Sequence, residues 1–185
     1  MKMLKNSLLL VVAVSLLASS CKKDEQNVAP TDDNEALTTA TITLTNKASA
    51  QDVVTATIEN LNKSADFSNA TLKLKPNTTY SGTIQLYDKT KTPVENVNDE
   101  IKEKANEHLF VYTPSVASLL TVTITDKDTN PAPGPYPVGL SFDLKTGVAA
   151  TGKLNVRLRH QPNAKNGTST PGTDDLNTDF PVIIQ

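Results

Sequence analysis

The chain has one cysteine, no tryptophan, and only four phenylalanines and four tyrosines among 185 residues. A lone cysteine excludes an internal disulfide framework and any site built on cysteine pairs. With so few aromatics, the core must rest on Val, Ile and Leu. Neither sign of charge dominates: 18 Lys and Arg stand against 20 Asp and Glu, a net −2. That balance excludes a basic nucleic-acid surface. The one long apolar run, residues 8–17, falls short of the roughly 20 residues a membrane span needs. The motifs G-x-S-x-G and H-E-x-x-H and a phosphate-binding glycine loop are all missing, so no enzyme signature is present and the expectation is a protein without catalysis.

What is present begins with an address. Lys2 and Lys5 precede the apolar run, and Ala18, Ser19 and Ser20 lead to Cys21. This is the pattern of a secretory signal over residues 1–20. Small residues directly before the only cysteine resemble a bacterial lipobox, which makes Cys21 the expected lipid-attachment residue. Ala18 holds the place where leucine is usual, and Leu17 lies one position further back. Acyl chains anchor by about 0.8 kcal/mol per buried methylene. The polar residues 21–37 read as acylated cysteine and tether. Lys22, Lys23, Asp24 and Glu25 resemble the charged surface-export signal of lipoproteins in one group of Gram-negative bacteria. The expected location is the outer membrane, on its cell-surface side. Losing Lys2 and Lys5 with the signal leaves 16 basic and 20 acidic residues, so membrane contact is expected through lipid alone.

From residue 38 to 185 the pattern has period two. Ile42 and Leu44, Leu72 and Leu74, then Tyr80, Gly82, Ile84 and Leu86 each share a face. So do Leu120, Val122 and Ile124, then Leu140, Phe142 and Leu144, then Leu154, Val156 and Leu158. Phe180 to Ile184 closes the chain as a short strand after a polar loop at 162–178. Eight or nine strands with one wet face each predict an all-β antiparallel sandwich, immunoglobulin-like or transthyretin-like. Residues 93–108 break the pattern with good helix formers. They predict one helix, with Asn96 or Asn98 as cap and Val97, Ile101 and Ala105 facing the sheet.

Residues 78–86, 93–108, 112–114, 158–162 and 179–185 together resemble a group of small bacterial lipoproteins that often carry the label "type 1 periplasmic binding fold superfamily protein". The resemblance implies an envelope lipoprotein but no particular activity. The fold in that label needs alternating βαβ units in two lobes, whereas the residues here point to an all-β domain.

Two histidines carry the candidate chemistry. His108 ends the expected helix, and His160 follows the parity of Leu154, Val156 and Leu158 to a strand end. Zinc takes imidazole and carboxylate ligands in a tetrahedron. His108 and His160 with Glu100, Glu103 or Glu107 are therefore the candidate metal set. The same two histidines are a weaker candidate pair for haem iron, because aromatics are scarce. Asp126, Asp128 and Asn130 open like a calcium loop, but Pro131 and Pro137 stand where an EF-hand needs Gly and Glu. The expected function is a monomeric, lipid-anchored envelope binding protein, capturing a divalent metal such as zinc for an outer-membrane receptor. The alternative is a structural or adhesive surface module with no small ligand.

Overall fold

In the computed structural model, residues 36–185 are described. The expected signal at 1–20, Cys21 and the tether as far as residue 35 lie outside the described residues. The remainder forms two largely antiparallel β-sheets with one short helix, an all-β sandwich as the alternation predicts.

The first sheet runs in the order β3 (Asp66–Asn69), β2 (Val53–Glu59), β1 (Thr39–Asn46), β5 (Thr79–Asp88), β9 (Ser141–Thr146), β8 (Leu120–Ile124). A two-residue strand, β6 (Glu95–Asn96), pairs with the far end of β5. The second sheet runs β4 (Leu72–Leu74), β11 (Thr173–Ile184), β10 (Ala150–His160), β7 (His108–Pro114). Only β4 lies parallel to its neighbour.

Register follows from burying one face of each strand. Ala40, Ile42 and Leu44 of β1 stand opposite Leu86, Ile84 and Gly82 of β5. In the other sheet Leu154, Val156 and Leu158 stand opposite Phe180, Thr178 and Leu176. These two faces meet in one core that also takes in Phe110, Phe142 and Tyr80. Each such side chain contributes about 1.5–3 kcal/mol on leaving water. Buried Tyr80 and partly buried Tyr112 satisfy their hydroxyls: Tyr80 accepts the Lys75 amide at 2.9 Å and Tyr112 donates to the Gly139 carbonyl at 2.6 Å. No described helix is long and apolar enough to cross a membrane.

The helix is shorter than its sequence suggests. Helix α1 covers only Asn98–Glu103, and a 3-10 turn at Ala105–Glu107 follows. Val97 and Ile101 are buried as expected. Neither Asn96 nor Asn98 caps the helix, because the cap position is Val97 and no side chain bonds there. Asn96 instead belongs to β6. The Asn98 amide turns inward, accepting the Leu86 N–H at 2.9 Å and donating to the Ile84 carbonyl at 2.8 Å. Satisfying two sheet-edge groups inside the protein outweighs a solvent-exposed cap.

The last strand is longer than expected. It starts at Thr173, so the predicted loop at 162–178 shrinks by six residues. Leu176 and Thr178 continue the buried face of Phe180, but a lone leucine and a threonine among polar residues gave too weak a period to read. Between Leu158 and Arg159 the β10–β11 register slips, and a bulge places Asp175 outside the regular pairing.

Gly82 leaves room on the core face for its cross-strand neighbours in the same sheet: a Cβ there would collide with the Phe142 ring of β9 and lie 2.8 Å from Leu44 Cδ2 of β1. Gly82→Ala is expected to lower unfolding free energy by about 1–3 kcal/mol, measured by urea titration; an unchanged midpoint would refute this packing.

Candidate functional site

The end of the sandwich where β1 begins also carries α1, the start of β7 and the end of β10. Lys104 leaves helical geometry at φ −97° and ψ 33°, and the 3-10 turn then delivers the chain into β7 at His108. His108 and His160 are direct partners across the β7–β10 ladder. The ladder is continued outward by the Gln161 N–H, which donates to the Glu107 carbonyl at 2.6 Å. Two residues that are 52 positions apart in sequence are thereby fixed ring on ring. Their imidazole centroids lie 4.9 Å apart and their planes differ by 10°.

His108 is the buried member, 6% exposed. Its Nδ1 lies 3.0 Å from the Lys104 carbonyl. A carbonyl accepts only, so Nδ1 carries the proton and Nε2 keeps its lone pair. That Nε2 faces Asp175 Oδ2 at 3.9 Å, while His160 Nε2 faces Glu107 Oε2 at 3.6 Å. Both separations exceed hydrogen-bond reach. Burial pulls the His108 pKa down. The bond to Lys104 and the carboxylates Asp175 and Glu100 push the other way without reversing it, and His160 adds to the depression.

The candidate metal set does not converge. Imidazole ligates through a lone pair in the ring plane, and two nearly parallel stacked rings cannot aim both lone pairs at one ion. Glu107 stands beside His160, but Glu100 accepts the Lys104 ammonium at 2.7 Å and Glu103 is exposed on α1. Glu107 left the helical row of Glu100 and Glu103 when the helix ended early. Among the described residues, no group of three or more His, Cys, Asp or Glu side chains is placed to hold a metal ion.

The calcium-like turn has a different occupation. Asp126 accepts the N–H groups of Gly139 and Leu140 at 2.8 and 2.9 Å. Asp128 accepts through Oδ1 from the Asn130 and Tyr136 amides, at 3.1 and 2.7 Å, and through Oδ2 from Asn130 Nδ2 at 2.8 Å. Its remaining donor is Lys165, whose Nζ lies 2.8 Å from Oδ2. The two side chains are 1% and 0% exposed, so an ammonium stands against the carboxylate that the calcium-like opening offers a cation. Burial pulls the Lys165 pKa down, against the upward pull of Asp128. Burial alone would raise Asp128, yet the donors from Lys165, Tyr136 and Asn130 hold it below the ordinary carboxylate value.

This pair ties three segments together. Lys165 also donates to the Ala105 carbonyl at 2.8 Å. Asn106 accepts from the amide and hydroxyl of Thr129, and its carbonyl takes Asn130 Nδ2. The loop at 161–172 is further wrapped around two buried side chains. Arg159 donates to Asp174 and to the carbonyls of Pro171 and Gly172, and Gln161 donates to those of Thr168 and Pro171. Lys165, Arg159, Gln161 and Asp175 carry no motif, and local spacing offered no way to find them. A separate open depression lies along the middle of β10 and β11, lined by Phe67, Asn155, Asn177, Thr178 and Asp179.

No family model, curated protein or solved structure matches the chain.

The depressed His108 pKa sets a pH dependence. The unfolded chain binds a proton near the ordinary histidine value of about 6.5, and the folded chain binds it less readily. The stability contribution is therefore complete above that value and is lost as pH falls through it toward the folded pKa. The urea midpoint is expected to drop between pH 7.5 and 5.5, and His108→Gln to flatten the drop. An equal slope in the variant would contradict the assignment.

Proposed function

We propose that this chain is a lipid-anchored, non-catalytic module of the cell envelope that acts as a structural or docking domain. The observation that carries the reading is the commitment of the polar groups at the histidine end to one another. Asp126, Asp128, Arg159, Gln161 and Lys165 each have backbone or side-chain partners inside the protein, and of their buried polar atoms Arg159 Nε and Gln161 Oε1 are left without one. Such a network builds a rigid end on a sandwich and leaves its loops presented in fixed positions. The two-sheet plan supports an immunoglobulin-like or transthyretin-like type, both of which serve as presentation scaffolds; that step rests on analogy of fold. The signal pattern and Cys21 support attachment to the outer membrane by lipid, as does the resemblance to small envelope lipoproteins. The partner in view is another envelope protein, such as an outer-membrane receptor.

One observation favours a second reading, capture of zinc. His108 Nδ1 is held by a backbone carbonyl, the arrangement that orients a ligating histidine, and its Nε2 faces Asp175 at 3.9 Å. Tetrahedral zinc with bonds of about 2.0–2.2 Å sets its ligand atoms about 3.3–3.6 Å apart, so this pair would have to close by a few tenths of an ångström to share one ion.

Two measurements test these readings. Full-length protein is expected in the membrane fraction, and Cys21→Ser in the soluble one; a variant that stays with the membrane would refute the anchor. Isothermal titration with zinc is expected to give no saturable binding. Saturable binding lost in both His108→Ala and Asp175→Ala would overturn the structural reading in favour of a zinc site on that pair.

A further inference from the structure

The Lys165–Asp128 contact holds more than an ion pair requires. An amine nitrogen and a carboxyl group stand 2.8 Å apart with neither side chain open to water. The two carboxyl oxygens are in different settings. Oδ1 receives two backbone N–H groups, from Asn130 and Tyr136. Oδ2 receives the lysine ammonium and the Asn130 side-chain amide. The nitrogen is held in place by a second bond, to the Ala105 carbonyl at 2.8 Å. Two backbone donors on one oxygen form an oxyanion hole, the arrangement that stabilises addition of a nucleophile to a carbonyl carbon.

We propose that Lys165 and Asp128 become joined by an amide bond between Nζ and Cγ. The ammonium passes one proton along the hydrogen bond to Oδ2, giving a neutral amine and a carboxylic acid. The amine lone pair attacks Cγ and the C–N bond forms. Negative charge gathers on Oδ1, facing the Asn130 and Tyr136 amides. The attacking nitrogen gives up a second proton to Oδ2, the Cγ–Oδ2 bond breaks, and Oδ2 leaves as water. One ammonium and one carboxylate become one secondary amide and one water. Nothing is oxidised or reduced and no co-reactant is needed.

Three features favour this outcome over a persistent ion pair. Holding both groups in contact removes the entropic barrier to their reaction. Forming the amide abolishes two buried charges whose desolvation is costly. The chain's single cysteine cannot close a disulfide within it, and this bond supplies a crosslink between residues 128 and 165 of the kind that restricts the unfolded chain. Burial holds Lys165 below its ordinary pKa, which brings the neutral amine within reach. Asp128 is held as an anion by its donors, so its acid form arises only with the proton that Lys165 delivers.

The test is mass spectrometry on the full-length protein purified from membranes, denatured and cut with trypsin. Residues 128–145 form one tryptic peptide. A blocked Lys165 would make residues 160–185 another. The proposal predicts a single branched species containing both, lighter than their sum by one water, about 18 Da. Lys165→Arg is expected to abolish the branched species and release residues 128–145 as a linear peptide. Recovery from the unaltered protein of linear 128–145 and linear 160–165, with no branched species, would overturn the proposal.

Discussion

Placing an ammonium and a carboxylate together in a protein interior costs several kcal/mol per ion, recovered only when every remaining donor and acceptor is satisfied. The contact of Lys165 with Asp128 comes with further hydrogen bonds, three to Asp128 from Asn130 and Tyr136 and one from Lys165 to the Ala105 carbonyl, and the end of the sandwich is built around it. Asp128 gathers the turn after β8 through the Asn130 and Tyr136 amides. Lys165 brings in the loop after β10 and, through the Ala105 carbonyl, the 3-10 turn before β7. Those last two segments are the ones that flank His160 and His108. The stacked imidazoles, paired through the β7–β10 ladder, thus lie between segments that a contact neither of them makes ties together.

The rest of the domain rests on ordinary hydrophobic pairing. β1, β5 and β9 in one sheet and β10 with β11 in the other present largely apolar faces of Ile, Leu and Val with Tyr80, Phe142 and Phe180. That half of the structure tolerates the irregular end because its register is set independently, by side chains such as Ile42, Ile84 and Phe180. The chain enters the first sheet beside Tyr87, at the end that carries the polar network. In the proposed anchored arrangement this network lies at the tethered end, and the turns near Asn77, Gly147 and Val116 lie at the opposite one.

The strands were legible where the alternation was carried by Val, Ile and Leu, as at residues 40–44, 80–86 and 154–158. They were illegible where polar residues took core-side positions, as at Thr178, or where a bulge interrupted the period, as at Asp175. The helix was overextended because Asn98 looks like a cap from sequence alone; its amide is needed inside, on the edge of β5. The pairing of His108 with His160 was approachable, since both sat at element ends with the right parity. The occupant of the calcium-like turn was not. Asp126, Asp128 and Asn130 only resemble the opening of a calcium loop, and nothing local says that Asp128 pairs with a lysine 37 residues downstream of it. Long-range electrostatic complementarity leaves no periodicity to read.

The central claim is that the Lys165–Asp128 contact orders the whole histidine end while the two sheets stand without it. Hydrogen exchange on Lys165→Met tests it most directly. The account predicts that the amides of Asn130, Tyr136 and Gln161 lose most of their protection, by up to the roughly 3–5 kcal/mol that stranding one member of a buried pair costs. Those of Ile42, Ile84 and Val156 keep theirs. Unchanged protection at Asn130, Tyr136 and Gln161, or loss spread evenly over both sheets, would contradict it.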